Sequence, residues 1–101
     1  MKVLAEESWS WMLFEHEDGR FLSVLCGTVG LYSIEFRLSE VEVEAIAAGG
    51  KSSIAELARD VVSRPLDYQS RHMPGFRSLS GYEEALADWR RDEVSSAANP
   101  T

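Results

Sequence analysis

Apolar and polar residues alternate through Tyr32-Ser33-Ile34-Glu35-Phe36-Arg37-Leu38. A period of two predicts a strand with one buried face. The period then breaks. Ser39 followed three positions later by Glu42 makes a capping box, which starts a helix. That helix should run from about Glu40 to Ala48 and end at Gly49-Gly50, since glycine favours the backbone reversal beyond a helix C-terminus.

Upstream, Ser8 to Glu17 is rich in aromatic and bulky residues and predicts a first strand. Asp18-Gly19 supplies the residues of a tight two-residue turn, and Arg20 to Cys26 predicts a second strand. Gly27 to Gly30 form a short loop, and Leu31 to Leu38 complete a three-stranded antiparallel meander. Downstream, Ile54, Leu57, Ala58, Val61 and Val62 recur at helical spacing and predict a second helix from Ser52 or Ser53 to Ser63, stopped by Pro65. The stretch from Leu66 to Leu79 has no period and carries the turn signal Pro74-Gly75. Ser80 with Glu83 can cap a third helix, whose apolar stripe is Tyr82, Ala85, Leu86 and Trp89.

The turns fix an expected register. With Asp18-Gly19 at the tip, Glu17 faces Arg20, Phe14 faces Ser23 and Met12 faces Leu25. With Gly27 to Gly30 as the second loop, Leu25 faces Tyr32, Ser23 faces Ile34 and Phe21 faces Phe36. One face then carries Met12, Phe14, Phe21, Leu25, Ile34 and Phe36 as the main core, under the first two helices through Val43, Ile46, Leu57 and Val61. The other face has a charged end (Glu15, Glu17, Arg20, Glu35, Arg37) and an apolar end (Trp9, Trp11, Leu13, Val24, Cys26, Leu31). A large apolar patch calls for a cover or an interface. Three covers are open: the third helix through Leu86 and Trp89, a second copy, or another protein. A slip of one residue in either turn exchanges the two faces.

The expected fold is therefore α+β: a three-stranded antiparallel β-meander followed by two helices packed on one face and a C-terminal helix. At 101 residues it forms one domain over 1–94, with a disordered tail over 95–101.

Charge narrows the partners. The net charge of −7 and a pI near 4.7 argue against nucleic acid and an anionic membrane surface, because both demand a basic face. Acidity permits a basic protein partner, and solubility alone is the simpler explanation for it. Cys26 is the only cysteine, so no internal disulfide can form and a reducing compartment fits. Glu6-Glu7 interrupt the N-terminal apolar stretch, and no run approaches the ~20 residues of a membrane span. A soluble bacterial-type cytoplasmic protein is expected.

No set of residues spells out catalysis. His16 and Cys26 fall on opposite faces in this register, so they cannot act as base and nucleophile. Glu15, His16, Glu17 and Asp18 lack ligand spacing and fit a solvated hairpin tip, so no metal or cofactor is expected. Glu40, Glu42 and Glu44 favour a helix N-terminus through its dipole, and could also dock a basic partner. The loop from Asp67 to Met73 gathers Tyr68, Arg71 and His72: either a ligand site, with Arg71 as a carboxylate clamp, or a connector that tucks Tyr68 into the core.

Phe21 to Gly27, Leu31 to Leu38, then Ser39-Glu40-Val41-Glu42 and a helix end in Ala-Gly-Gly, followed by Ile54-Ala55-Glu56-Leu57-Ala58-Arg59-Asp60, resemble small bacterial proteins of uncharacterised or immunity-protein type. The resemblance spans about Phe14 to Arg64. It implies a protein that binds and blocks a cognate toxin, and it carries over no functional residue. The leading expectation is a non-catalytic protein-binding module of this immunity type, using Trp9, Trp11, Leu13, Leu31, Glu40 and Glu44. The alternatives are a homo-oligomeric structural protein and a small ligand-binding protein or enzyme built on Tyr68, Arg71 and His72.

Overall fold

In the computed structural model, which describes residues 1–27 and 32–98 with side chains to Arg91, four strands form an antiparallel sheet in the order β1-β2-β3-β4. They are β1 (Lys2–Glu7), β2 (Trp11–His16), β3 (Gly19–Cys26) and β4 (Tyr32–Arg37). Four helices follow: α1 (Glu40–Gly49), α2 (Lys51–Ser63), α3 (Pro65–Gln69) and α4 (Tyr82–Ala98), with a 3-10 turn at Phe76–Ser78. The class is α+β, as expected. α4 reaches into the stretch expected as a tail, and residues 99–101 lie outside the described residues.

The sheet has four strands where three were expected. β1 escaped because its alternation is broken. The pairing with β2 shifts between Val3 and Ala5, so Val3 opposes Phe14 while Ala5 opposes Leu13. Two residues that a regular strand would place on one face thus enter different layers. The segment read as a continuous strand from Ser8 begins with a turn, closed by the Ser10 N–H donating to the Glu7 carbonyl at 3.0 Å.

The register also differs from expectation. His16 pairs with Gly19, so Glu17 and Asp18 form the tip, and Glu17 takes the left-handed conformation (φ 55°). Gly19 serves close packing instead: a Cβ there would lie 3.0 Å from the Phe21 ring and 3.2 Å from the Arg37 guanidinium carbon. This slip preserves parity, because Phe14 still shares a face with Phe21, and Met12 with Ser23. The second reversal does not. Cys26 pairs with Tyr32, Val24 with Ile34 and Leu22 with Phe36. Five residues separate Cys26 from Tyr32, one more than the expected loop requires, and the odd count turns β4 over.

Trp11 and Phe36 therefore lie in one core, with Leu13, Leu22, Val24 and Ile34, under Ile54, Ala58 and Val61 of α2 and Tyr68 of α3. Trp11 is 3% exposed and Leu13, Val24 and Cys26 are buried with it, so among the described residues the expected outward patch is reduced to Trp9. The opposite face carries Val3, Phe14 and Phe21 and is covered by Phe76 and by Ala85 of α4, with Leu86 and Trp89 packed alongside. Phe76 meets Phe14 edge-on at 5.2 Å and lies 5.3 Å from Phe21. The unpatterned segment thus supplies the centre of the second core. Each face of the sheet has its own helical cover.

Gly50 ends α1 and begins α2 at φ 62°, ψ −146°, a combination open almost only to glycine. A Cβ at Gly50 would meet nothing within 4 Å. Gly50→Ala is therefore expected to cost about 1–3 kcal/mol through backbone conformation alone. Urea unfolding checks this; an unchanged midpoint would mean the corner tolerates a side chain.

Candidate functional site

The strand-to-helix corner builds a concave surface. Ser39 caps α1 as the sequence demands: its Oγ accepts the Glu42 N–H at 3.2 Å, and the Glu42 carboxylate accepts the Ser39 N–H at 2.8 Å. The cap aims the start of α1 past the β2–β3 tip. A cleft of about 410 Å³ opens there, lined by Asp18, Arg20, Arg37, Leu38, Glu40, Val43 and Glu44, with Gly19 in its wall. A smaller hollow of about 120 Å³ shares Arg20, Leu38 and Val43 with it and adds Leu13, Ile46 and Ala47. The two make one surface with an apolar floor.

Asp18, Glu40 and Glu44 share its rim with Arg20 and Arg37. Glu40 and Glu44 sit one turn apart on the exposed side of α1, and Glu17 and Asp18 are exposed at the strand tip. Arg20 is held by Glu15 at 3.2 Å across the ladder. α1 has no fully buried side chain, and Val41 is 75% exposed beside Glu40. Val43 and Ile46 only partly enter the core. An apolar floor, a charged rim and an exposed helix are the parts of a protein interface.

Of the residues singled out for partner binding, Glu40 and Glu44 line the cleft, whereas Leu13 is buried in the core at 6% exposure and reaches only the smaller hollow. Trp9 and Trp11 lie at the opposite end of the sheet, where Trp11 pairs with Val24. Trp9 is 86% exposed and Trp11 is core. Leu31 lies outside the described residues.

The loop candidates turn inward. Tyr68 is buried; its hydroxyl donates to Asp60, and burial first, then that bond, push its pKa up to about 12. Arg71 grips Glu42 with two bonds of 2.6 and 3.0 Å, donates to the Arg37 carbonyl at 2.9 Å, and lies 4.6 Å from the Phe36 ring centre. Burial pushes Glu42 up, but Arg71 and the Ser39 cap together hold it below the usual carboxylate range. His72 Nδ1 accepts the Glu35 N–H at 3.1 Å. These side chains fasten the loop to α1, α2 and β4.

Cys26 is buried, and that burial, followed by the charge of Glu35, raises its thiol pKa. It lies seven residues along β3 from Gly19, the partner of His16, roughly 23 Å at ~3.3 Å per residue. Among the described residues no three His, Cys, Asp or Glu side chains gather as a metal site requires. No helix there is long and apolar enough to cross a membrane.

Sequence reasoning missed Glu35. The expected register puts it at the charged end of the outer face, yet it is 5% exposed. Its Oε2 accepts the Ser23 hydroxyl at 2.8 Å and lies 3.9 Å from Arg77. The parity of β4 was the signal needed, and it was set by the loop count.

Compared with protein-family models, curated proteins and solved structures, the chain matches none of them.

Proposed function

We propose that this protein is a non-catalytic binding module of immunity type, acting in the cytoplasm by covering the working surface of a basic partner, such as a toxin domain. The observation that supports the reading is the pair of adjoining hollows at α1 and the β2–β3 tip, one lined mainly by apolar side chains and the other by Asp18, Glu40 and Glu44 with Arg20 and Arg37. The net charge of −7 supports steering of a basic partner toward it. The resemblance of the Phe14 to Arg64 stretch to immunity-type proteins supports the same class. The inward engagement of Tyr68, Arg71 and His72 favours this reading over a ligand site on their loop.

The double variant Glu40→Lys/Glu44→Lys tests it. Both side chains are exposed, so folding stability should change by no more than about 0.3–1 kcal/mol per site, the scale of the helix-dipole effect. Affinity for the basic toxin domain that the parent binds should fall at least tenfold (about 1.4 kcal/mol). The parent's binding should weaken with salt, and the variant's should do so much less. Protection of toxin-expressing cells should be lost with it. Equal protection by parent and variant would remove this surface from the mechanism.

A further inference from the structure

β4 is the last strand of the sheet, so one row of its main-chain groups has no neighbouring strand. Residues 71–77 follow that row in antiparallel order. Arg71 reaches the Arg37 carbonyl at 2.9 Å, His72 and Met73 meet Glu35, and Arg77 reaches the Ser33 hydroxyl at 2.9 Å. The middle of this strap takes both edge groups of Glu35. The Met73 N–H donates to the Glu35 carbonyl at 2.8 Å, and the Glu35 N–H donates to Nδ1 of the His72 ring at 3.1 Å. In a regular ladder that N–H would meet a carbonyl, which accepts at every pH. Here it meets an imidazole nitrogen, which accepts only while it carries no proton.

The surroundings of the ring are arranged for the neutral form. Among the described residues no carboxylate pairs with His72. The charged groups of the neighbouring elements are engaged with others. Glu35 of β4 accepts the Ser23 hydroxyl at 2.8 Å and lies 3.9 Å from Arg77 of the 3-10 turn. Glu42 of α1 is gripped by Arg71 at 2.6 Å, and Asp67 of α3 lies 3.6 Å from Arg64. The Arg37 guanidinium packs against Gly19.

We infer that residues 71–77 form a pH-sensitive strap on the free edge of β4, released in mild acid through His72. Histidine ordinarily changes charge between about pH 5 and 8. A second proton on the ring turns Nδ1 from acceptor into donor, so that it faces the Glu35 N–H as donor to donor. The bond is lost and the middle of the strap leaves the strand. Its ends stay tied. Glu42 is held below the usual carboxylate range and Arg71 is shifted upward, so their pair keeps both charges in mild acid. Phe76, 1% exposed, anchors the other end in the second core. Acid thus bares the main chain of Glu35 without unfolding the domain. A bared strand edge is a place where another extended chain can pair, so the strap makes that edge conditional on pH.

The test uses the full chain labelled with nitrogen-15. Ring nitrogen shifts at neutral pH should show His72 Nδ1 unprotonated and Nε2 carrying the proton. Protection of the Glu35 amide from hydrogen exchange is taken relative to an unstructured chain, which cancels the pH dependence of exchange itself. It should fall roughly fivefold, the scale of one hydrogen bond, between about pH 7.5 and about pH 5.5. The Leu25 amide, bonded to the Ser10 carbonyl at 2.9 Å, should keep its protection. His72→Asn puts a non-titrating amide oxygen close to the place of Nδ1, so Glu35 should stay protected at both pH values. His72→Ala should lower its protection equally at both. A proton on Nδ1 at neutral pH, unchanged Glu35 protection while the ring titrates, an equal fall at Leu25, or survival of the parent's pH response in His72→Ala would each overturn the assignment. The first three are read on the parent chain and need no variant to fold.

Discussion

Trp11→Ala is expected to destabilise the protein by about 3–5 kcal/mol, whereas Trp9→Ala should shift stability by no more than about 0.5 kcal/mol. The two indoles are two residues apart in sequence, yet one is 3% exposed and the other 86%. Trp11 packs with Leu13, Leu22, Val24, Ile34 and Phe36, and α2 closes over them. Truncation would leave a void in a close-packed core and strip Glu7 of the indole N–H. The loss is a large part of the ~5–15 kcal/mol that holds a domain of this kind together. Urea unfolding followed by far-ultraviolet circular dichroism gives both midpoints. Equal costs for the two substitutions would contradict the register of β2, and with it the two-layer division of the core.

The elements that could be read from the chain are those set by local chemistry. Ser39 and Glu42 satisfy one another's backbone groups across a single turn, so the corner is written in four residues and the structure repeats it. The stripe through Ile54, Ala58 and Val61 likewise states one buried face, and those residues are buried. What could not be read depends on pieces far apart. β1 carries a register shift that erases its alternation. Gly19 invited assignment to the turn, but it is needed where the Phe21 ring and Arg37 approach the backbone. One extra residue between Cys26 and Tyr32 turned Ile34 and Phe36 toward Trp11 and buried Glu35 on the other side. Parity is a count, and no residue in a loop announces it. The candidate site divides the same way. Glu40 and Glu44 were legible because a helix N-terminus favours them. Their place in one cleft with Asp18 and Arg20 of the β2–β3 hairpin depends on tertiary packing, which no local pattern states. The convergence of Trp89 on Glu6, 83 residues apart, had no local signal at all.

Arg71→Ala should cost about 1–3 kcal/mol, more than an exposed ion pair and less than a fully buried one. Arg71 and Glu42 are partly screened, at 35% and 18% side-chain exposure, which sets the estimate between those limits. The melting temperature should fall by roughly 4–8 °C per kcal/mol in a chain of this size. The guanidinium joins the loop after α3 to Glu42 and to the Arg37 carbonyl, and its loss leaves Glu42 half-buried without its cation. The pH dependence gives the sharper test. Glu42 is held below the usual carboxylate range in the folded protein, so it binds a proton more readily in the unfolded chain. Its contribution is complete above the unfolded value of about 4.3 and disappears as pH falls through the lower folded value. Arg71 is shifted upward and stays charged throughout that window. The stability difference between parent and Arg71→Ala should therefore be largest near neutrality and shrink below about pH 4. Urea midpoints at neutral and acid pH measure it. A difference that stays constant into acid would assign Arg71 to packing on Phe36 and Tyr68, with no share for the charge it holds on Glu42.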